Sequence, residues 1–365
     1  MLLSCAGLLL NAQLANDVLN LSPPLPRKPI GLSFEAFPFL KNNEYFNTIN
    51  PGETYFGFRT QAAAVFNLQP GGKAQLSTGM MIQENYGGKT LIKPVFQLSL
   101  LSYRDWNYIF GMLKSGTRHG LIEPLYNYEQ TLFQPLEYGI QVRKNNNSRF
   151  FYDGWIEWRQ QLNQASNRQE MLIAGQHLDY RILQGKRAFI SIPLQAVLVH
   201  QGGQALNPPV NISTRINATA GIRFAKADTS LLTEFYALQS IDNSPNPSQP
   251  WKNGWAVMSN IRIRFKKYNT LAGTFWHGNE FTTTTGSPVF SNVNLNNVYA
   301  NSRSRTLLML RYVYSRPILG SKIWLDARIE PHYDLQRSRA EFSHGLYIKY
   351  ITTGELRIPR LPGLF

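Results

Sequence analysis

The sequence predicts an all-β chain closed into an antiparallel transmembrane β-barrel of about 16 strands, with 14 as the fallback, and three observations carry that prediction. The first is alternation. Ile212, Thr214, Ile216, Ala218, Ala220, Ile222 and Phe224 form one parity; Ser213, Arg215, Asn217, Thr219, Gly221 and Arg223 form the other. Successive strand side chains point to opposite faces, so this segment separates a greasy face from a wet one. The second is composition. Of 365 residues only 16% are charged and 13% are aromatic, yet no apolar run reaches the roughly 18 residues that a membrane helix needs. Half-polar strands reconcile the two. The third is the spacing of connections. Tight turns at 145–147, 184–185, 227–228, 268–269 and 317–321 alternate with links at 115–135, 163–169, 201–211, 242–254, 280–302 and 335–340. Outer-membrane barrels have short periplasmic turns and long extracellular loops.

Taken in order, residues 1–12 read as a signal peptide. Leu2, Leu3, Leu8, Leu9 and Leu10 supply the apolar stretch, and Leu10-Asn11-Ala12 a small-residue cleavage site. The customary basic n-region is missing, so the signal reads as truncated. Cys5, the one cysteine, falls inside it. A lipoprotein reading of Leu2-Leu3-Ser4-Cys5 is disfavoured because the apolar stretch follows the cysteine. The exported chain then has no thiol for disulfides, catalysis or metal binding. Residues 13–30, with Pro23, Pro24, Pro26 and Pro29, form a stiff, extended periplasmic leader.

The barrel is expected over 31–351. Its strands are 55–68, 74–83, 90–101, 106–114, 136–144, 149–162, 170–183, 186–200, 212–226, 229–241, 255–267, 270–279, 303–315, 322–334 and 341–351. An even count with both termini inside requires one more, and 31–40 is the candidate. Trp158, Trp255, Phe265, Tyr312, Tyr314, Phe342 and Tyr350 fall on the outward parity near strand ends, as aromatic girdles do. Pro94, Pro193 and Pro331 interrupt strands and are expected at bulges or barrel rims. Residues 352–365 read as a periplasmic tail.

The inward parity is rich in cations. Arg143, Arg159, Arg181, Arg215, Arg223, Arg262, Arg264, Lys266, Arg303, Arg305, Arg311 and Arg328 are the candidate pore-lining residues. Arg262, Arg264 and Lys266 are expected to stack with Arg303 and Arg305 as a basic ladder along one wall, offering successive weak anion sites. Pairing with lumen carboxylates, as of Asp179 with Arg181 or Asp326 with Arg328, is the structural alternative. Loop 115–135 is too apolar to be freely solvated. It is expected to fold into the pore as a constriction or plug, or to cap its mouth, with Arg118, His119, Glu123 and Tyr126 as its chemistry-bearing residues.

Three segments, Asn42-Asn43-Glu44-Tyr45-Phe46, His119-Gly120-Leu121-Ile122-Glu123-Pro124-Leu125-Tyr126 and Tyr152-Asp153-Gly154-Trp155-Ile156, resemble poorly characterised porin-like outer-membrane proteins of the Bacteroidota. The resemblance implies architecture and bacterial outer-membrane residence but transfers no catalytic residue.

The functional expectation is a porin or channel passing small anionic solutes such as acidic sugars, phosphate or organic acids. No enzymatic activity, cofactor or metal is expected. A net charge of +15 is spread singly through strands, which argues against nucleic acid. Membrane lipid, lipopolysaccharide and anionic solutes are the expected partners, with a homo-oligomer or an envelope complex as further possibilities. A closed barrel acting as a scaffold is the alternative. A rim-active lipid hydrolase is a third reading: His200 and His344 have outward parity, though no serine motif accompanies them.

Overall fold

A computed structural model describes residues 15–16, 18–69, 73–144, 149–163, 165–202, 210–247, 249–294, 300–320 and 322–356. Its strands are β1 (Ile30–Glu44), β2 (Thr54–Asn67), β3 (Ala74–Asn85), β4 (Leu91–Leu101), β5 (Trp106–Met112), β6 (Tyr138–Lys144), β7 (Phe150–Gln160) and β8 (Glu170–Gln184). They continue as β9 (Ala188–Gly202), β10 (Ser213–Lys226), β11 (Leu231–Asp242), β12 (Asn253–Phe265), β13 (Asn269–Asn279), β14 (Ser304–Leu319), β15 (Ile323–Asp334) and β16 (Arg339–Glu355). All 16 pair antiparallel with their sequence neighbours, and β1 closes on β16 from Gly31–Glu355 to Glu44–Phe342. Closure leaves no edge unpaired, which is what a lipid environment demands. The expected first strand, 31–40, is the body of β1.

Parity works as anticipated. On β12 the outward Val257, Ile261 and Ile263 are exposed while Asn260 and Arg262 are buried; on β14 the outward Leu308 and Leu310 are exposed while Arg305 and Leu307 are buried. An apolar band facing outward around a closed barrel belongs in hydrocarbon. The girdle residues Trp158, Trp255, Phe265 and Phe342 are exposed at its margins. The chain is a closed β-barrel of the kind that spans a bacterial outer membrane.

Pro94 and Pro331 fall near strand ends, toward the barrel rims, and none of the three prolines sits at a bulge. The described register shifts lie at Trp158/Gln160, Arg181/Leu183 and Pro317/Leu319, not at Pro94, Pro193 or Pro331. Register is kept through all three: at Pro94 the ladder with β3 runs on unbroken, whereas at Pro193 and Pro331 one ladder skips. Pairing of β9 with β10 jumps from Leu194–Ala220 to Ser191–Arg223 beside Pro193. That of β14 with β15 jumps from Met309–His332 to Tyr312–Ile329 beside Pro331. Each proline lacks one N–H, so one ladder bond is lost without an inserted residue.

β5 and β6 are only 7 residues each, shorter than the roughly 9–11 that span the apolar zone. Alternation in the sequence runs on through Leu113 and Glu137, but there the chain turns into the lumen. The segment assigned to 1–12, Cys5 included, lies outside the described residues, as do 357–365 of the tail. The leader does not stay outside the barrel. Val18–Asn20 makes one turn of 3-10 helix with Val18 and Leu19 buried. Arg328 donates to Asn16 Oδ1 at 2.5 Å and Lys349 to the Leu19 carbonyl at 3.4 Å.

Candidate functional site

Two loops fill the half of the lumen away from the termini. Leu121, Ile122, Leu125 and Tyr126 of the 113–137 loop pack on Trp155, Val197, Leu238 and Trp276 from the wall and on Phe281, Val289 and Phe290 from the 280–303 loop. The loops also bond each other. Asn127 N–H and Gln130 Nε2 donate to the Thr285 carbonyl at 2.9 and 2.8 Å, and Ser287 N–H donates to the Glu123 carbonyl at 2.9 Å. Ile122 N–H reaches Gln195 Oε1 on the wall at 2.9 Å. Glycine is required at two closures: Gly120 has φ +71° and a Cβ there would meet His177 Nδ1 at 2.9 Å, and one at Gly286 would meet the Pro124 carbonyl oxygen at 1.8 Å. The loop expected to narrow the pore is thus a packed plug.

Its polar residues are bound into the wall. His119 stacks on Trp155, with ring centroids 3.6 Å apart. Its Nε2 lies 2.9 Å from Glu137 and its Nδ1 3.3 Å from Asp153. Burial disfavours the charged ring, but the two carboxylates outweigh it and hold the imidazole pKa up at about 9. Tyr126 donates its hydroxyl to Glu137. Arg118 donates to Ser22 Oγ at 2.8 Å, tying the plug to the leader. Glu123 accepts from Arg311 at 2.6 Å.

Most of the predicted pore-lining arginines meet carboxylates. Arg223 is held by Asp179 and by Glu234 at 2.7 Å, Arg305 by Asp334 at 3.1 Å, and Arg328 by Asp326 at 2.7 Å. Arg159 meets Glu157 at 2.7 Å and Arg143 meets Asp153 at 3.5 Å. Arg311 shares Glu330 with Lys41. Such pairs satisfy charge that burial would otherwise make costly. Arg181 lies over the Phe189 ring at 4.5 Å, Arg215 is opposite Asp242 in register, and Arg262 is buried. The expected ladder does not assemble. Arg264 bonds Thr229 Oγ1 near one end of the barrel and Lys266 sits beyond β12 with φ +49°. Arg303 stands at the opposite end, 78% exposed, against Glu280 at 3.0 Å. β12 and β14, separated by β13, run in the same direction, so the close of one and the start of the other lie at opposite rims.

The outer wall carries a different arrangement at the rim of the long loops. His277, at the end of β13, and Thr306, at the start of β14, are direct cross-strand partners with outward parity. His277 Nδ1 is 2.9 Å from Thr306 Oγ1. Gln336, in the following loop, donates from Nε2 to the same Oγ1 at 2.8 Å and accepts the Thr306 N–H at 2.5 Å. The Thr306 hydroxyl is thus clasped between Gln336 Nε2 and His277 Nδ1, and with Nδ1 unprotonated the threonine hydrogen can be donated to the imidazole. Two residues further down both strands, Phe275 and Leu308 begin a trough of about 550 Å³ lined also by Ile261, Gly273, Leu310 and Ala340. A second pair repeats the pattern. His200 Nδ1 is 2.9 Å from Thr214 Oγ1, above a trough of about 520 Å³ lined by Leu198, Ile216, Ala196, Ala174 and Gln176. His344 also faces outward but stands opposite Asn42 and stacks near Phe342.

His277, Thr306 and Gln336 escaped the sequence reading. None was singled out there: alternation with the buried Trp276 and Arg305 sets the first two outward, but their pairing spans a long loop and needs the register. Among the described residues no group of three or more His, Cys, Asp or Glu is placed to hold a metal ion.

Comparisons with known proteins complete the picture. No curated protein matches the chain by sequence. Among solved structures it is similar to the outer membrane protein OprD from Pseudomonas aeruginosa, at TM-score 0.54 and 7% identity over 89% of this chain and 94% of that one. It is also similar to OmpT of Vibrio cholerae, at TM-score 0.50 and 9% identity over 89% and 100%. A third is OccK2 (OpdF) of Pseudomonas aeruginosa in complex with glucuronate, at TM-score 0.53 and 7% identity over 89% and 98%. These likenesses establish the fold. A family model described as lipid A 3'-O-deacylase-type matches residues 23–357. That match overturns the expectation that the chain is not an enzyme: it belongs to the lipid A 3'-O-deacylase-type family.

Proposed function

We propose that the protein is an outer-membrane hydrolase that removes an ester-linked acyl chain from lipid A in the outer leaflet, at the His277–Thr306 pair. One observation carries the reading: a histidine–threonine pair, clasped by Gln336, stands at the headgroup rim of the lipid-facing wall directly above an apolar trough. A substrate already in the leaflet reaches that site by lateral diffusion, its acyl chain lying along Phe275 and Leu308. Thr306 Oγ attacks the ester carbonyl while its proton passes to His277 Nδ1. The sugar oxygen leaves with that proton. Water, deprotonated by His277, then cleaves the acyl–threonine ester and releases the fatty acid.

Mass spectrometry of lipid A from outer membranes holding the protein tests the reading. Wild type removes one acyl chain, and Thr306→Val and His277→Ala each slow removal at least about 10²-fold. Unchanged lipid A with folded wild-type protein rules the reading out. Removal that persists in both variants but stops in His200→Ala moves the site to the second pair.

A second reading, passage of anions such as acidic sugars, phosphate or organic acids, is supported by the basic excess of the inward face and by the fold shared with channels, one of them crystallised with glucuronate. It requires the plug to leave the lumen. Reversal potentials of a barrel lacking residues 116–133 test it: anion preference supports passage, and cation preference excludes it.

A further inference from the structure

The end of the barrel that bears both described termini and the short turns also bears a ring of cations. Each of the seven turns at that end has at least one: Lys73, Arg104, Arg149, Lys186, Lys226, Lys267 and Lys322, all exposed and each at or beside its turn. Exposed carboxylates at this end are few. Asp105 is one; Asp228 already accepts from Ser230, and Glu355 lies 3.9 Å from Lys28. At the other rim exposed cations such as Lys89, Arg168 and Lys252 occur as well, while Arg303 is held by Glu280 and Arg339 donates to the Phe46 carbonyl at 2.6 Å.

The ring sits where the apolar band ends. Leu68, Leu183 and Leu319, beside the turns of Lys73, Lys186 and Lys322, are 56%, 60% and 69% exposed. Lys144 lies over the Trp106 and Phe150 rings at 5.5 and 5.8 Å, and Lys267 over Tyr268 at 5.3 Å. Exposed leucine, then aromatic, then cation is the order met on crossing from acyl chains to headgroups. The cations also encircle the barrel. A protein partner contacts one patch, whereas a lipid leaflet contacts every turn at once.

We infer that this ring binds the headgroup phosphates of anionic phospholipids in the inner leaflet, giving the barrel an anionic lipid annulus at its periplasmic end. The inference rests on the barrel and its charges and is independent of the hydrolase reading. Electron spin resonance tests it, with the full protein in phosphatidylcholine vesicles and a trace of spin-labelled phosphatidylglycerol or phosphatidylcholine. At low salt the glycerol probe is enriched about threefold over the choline probe in the motionally restricted fraction. The enrichment falls to about unity in 1 M NaCl, where the screening length is about 3 Å. It falls by about half or more in the Lys73→Gln, Lys186→Gln, Lys226→Gln, Lys322→Gln variant, whose folding is checked by heat-modifiable migration. If that variant does not fold, the pairs Lys73→Gln/Lys322→Gln and Lys186→Gln/Lys226→Gln each remove part of the enrichment. Equal association of both probes with wild type overturns the inference and leaves the ring as a surface for an acidic periplasmic protein. Full enrichment in the folded variants overturns it too, by placing the selectivity elsewhere.

Discussion

The inner and outer faces of this barrel use the same residue types to opposite ends. Inside, His119 is stacked on Trp155, held by Glu137 and Asp153, and wholly buried. Outside, His277 meets the Thr306 hydroxyl and the Trp255 ring, 5.5 Å away between centroids, and is partly exposed at the rim. The first histidine is held charged by carboxylates and serves packing. The second has no carboxylate among its described contacts. Inside, most of the arginines meet carboxylates, and the space between is closed by leucine, tryptophan and phenylalanine. Outside, a trough is left open beneath the pair. Polar side chains in a lumen are therefore no sign of a water path, and a quiet lipid-facing wall can be where the chemistry lies.

Breaking the inner network has the largest expected effect. Glu330 accepts from Lys41, Arg311 and Tyr128, so Glu330→Gln takes from two buried cations the carboxylate they share, leaving Arg311 with Glu123 and Lys41 with Glu129 at 3.8 Å, and lowers stability by about 3–5 kcal/mol. The urea midpoint of barrel unfolding reads this out; a midpoint within error of wild type would show that the network is solvated. Next comes the plug. Ile122 is fully buried among apolar neighbours, and Ile122→Ala costs about 2–4 kcal/mol. Proteolysis within 113–137 should rise in parallel, and an unchanged cleavage rate would mean that the loop does not depend on this packing.

A milder and pH-dependent effect belongs to His119. Its folded pKa of about 9 lies above the ordinary value of 6.5, so its charge stabilises the fold fully below about pH 6.5. That contribution is lost as pH rises from 6.5 through 9, and His119→Gln should flatten the slope of unfolding midpoint over this window. An identical slope in the variant would assign it to other groups. Smallest is the outer surface. Arg303→Gln, at an exposed ion pair, shifts stability by less than about 0.5 kcal/mol. Thr306→Val should be equally silent in unfolding while abolishing deacylation, which separates a working residue from a structural one.

Much of the fold was legible because a strand has a period of two. The parity of Ile212–Phe224 in the sequence predicts the wall, and the rhythm of turns predicts 16 strands with 31–40 as the first. Partner choice was not legible. Asp179 was expected to meet Arg181 on its own strand and instead holds Arg223, two strands away, because cross-strand neighbours depend on stagger. The plug was half legible: the apolar character of Leu121, Ile122 and Leu125 argued against a solvated loop, but nothing local announced the 280–303 loop as its partner. His277 and Thr306 show the same limit. Their parity was readable; their contact is a fact of register.

The account turns on the lumen being a protein core, which leaves the lipid-facing wall to act. Conductance of the intact, purified barrel in a planar bilayer tests that most directly. The account predicts a silent membrane, with steps appearing only when residues 116–133 are removed. Stable, ohmic openings from the unaltered chain would contradict it.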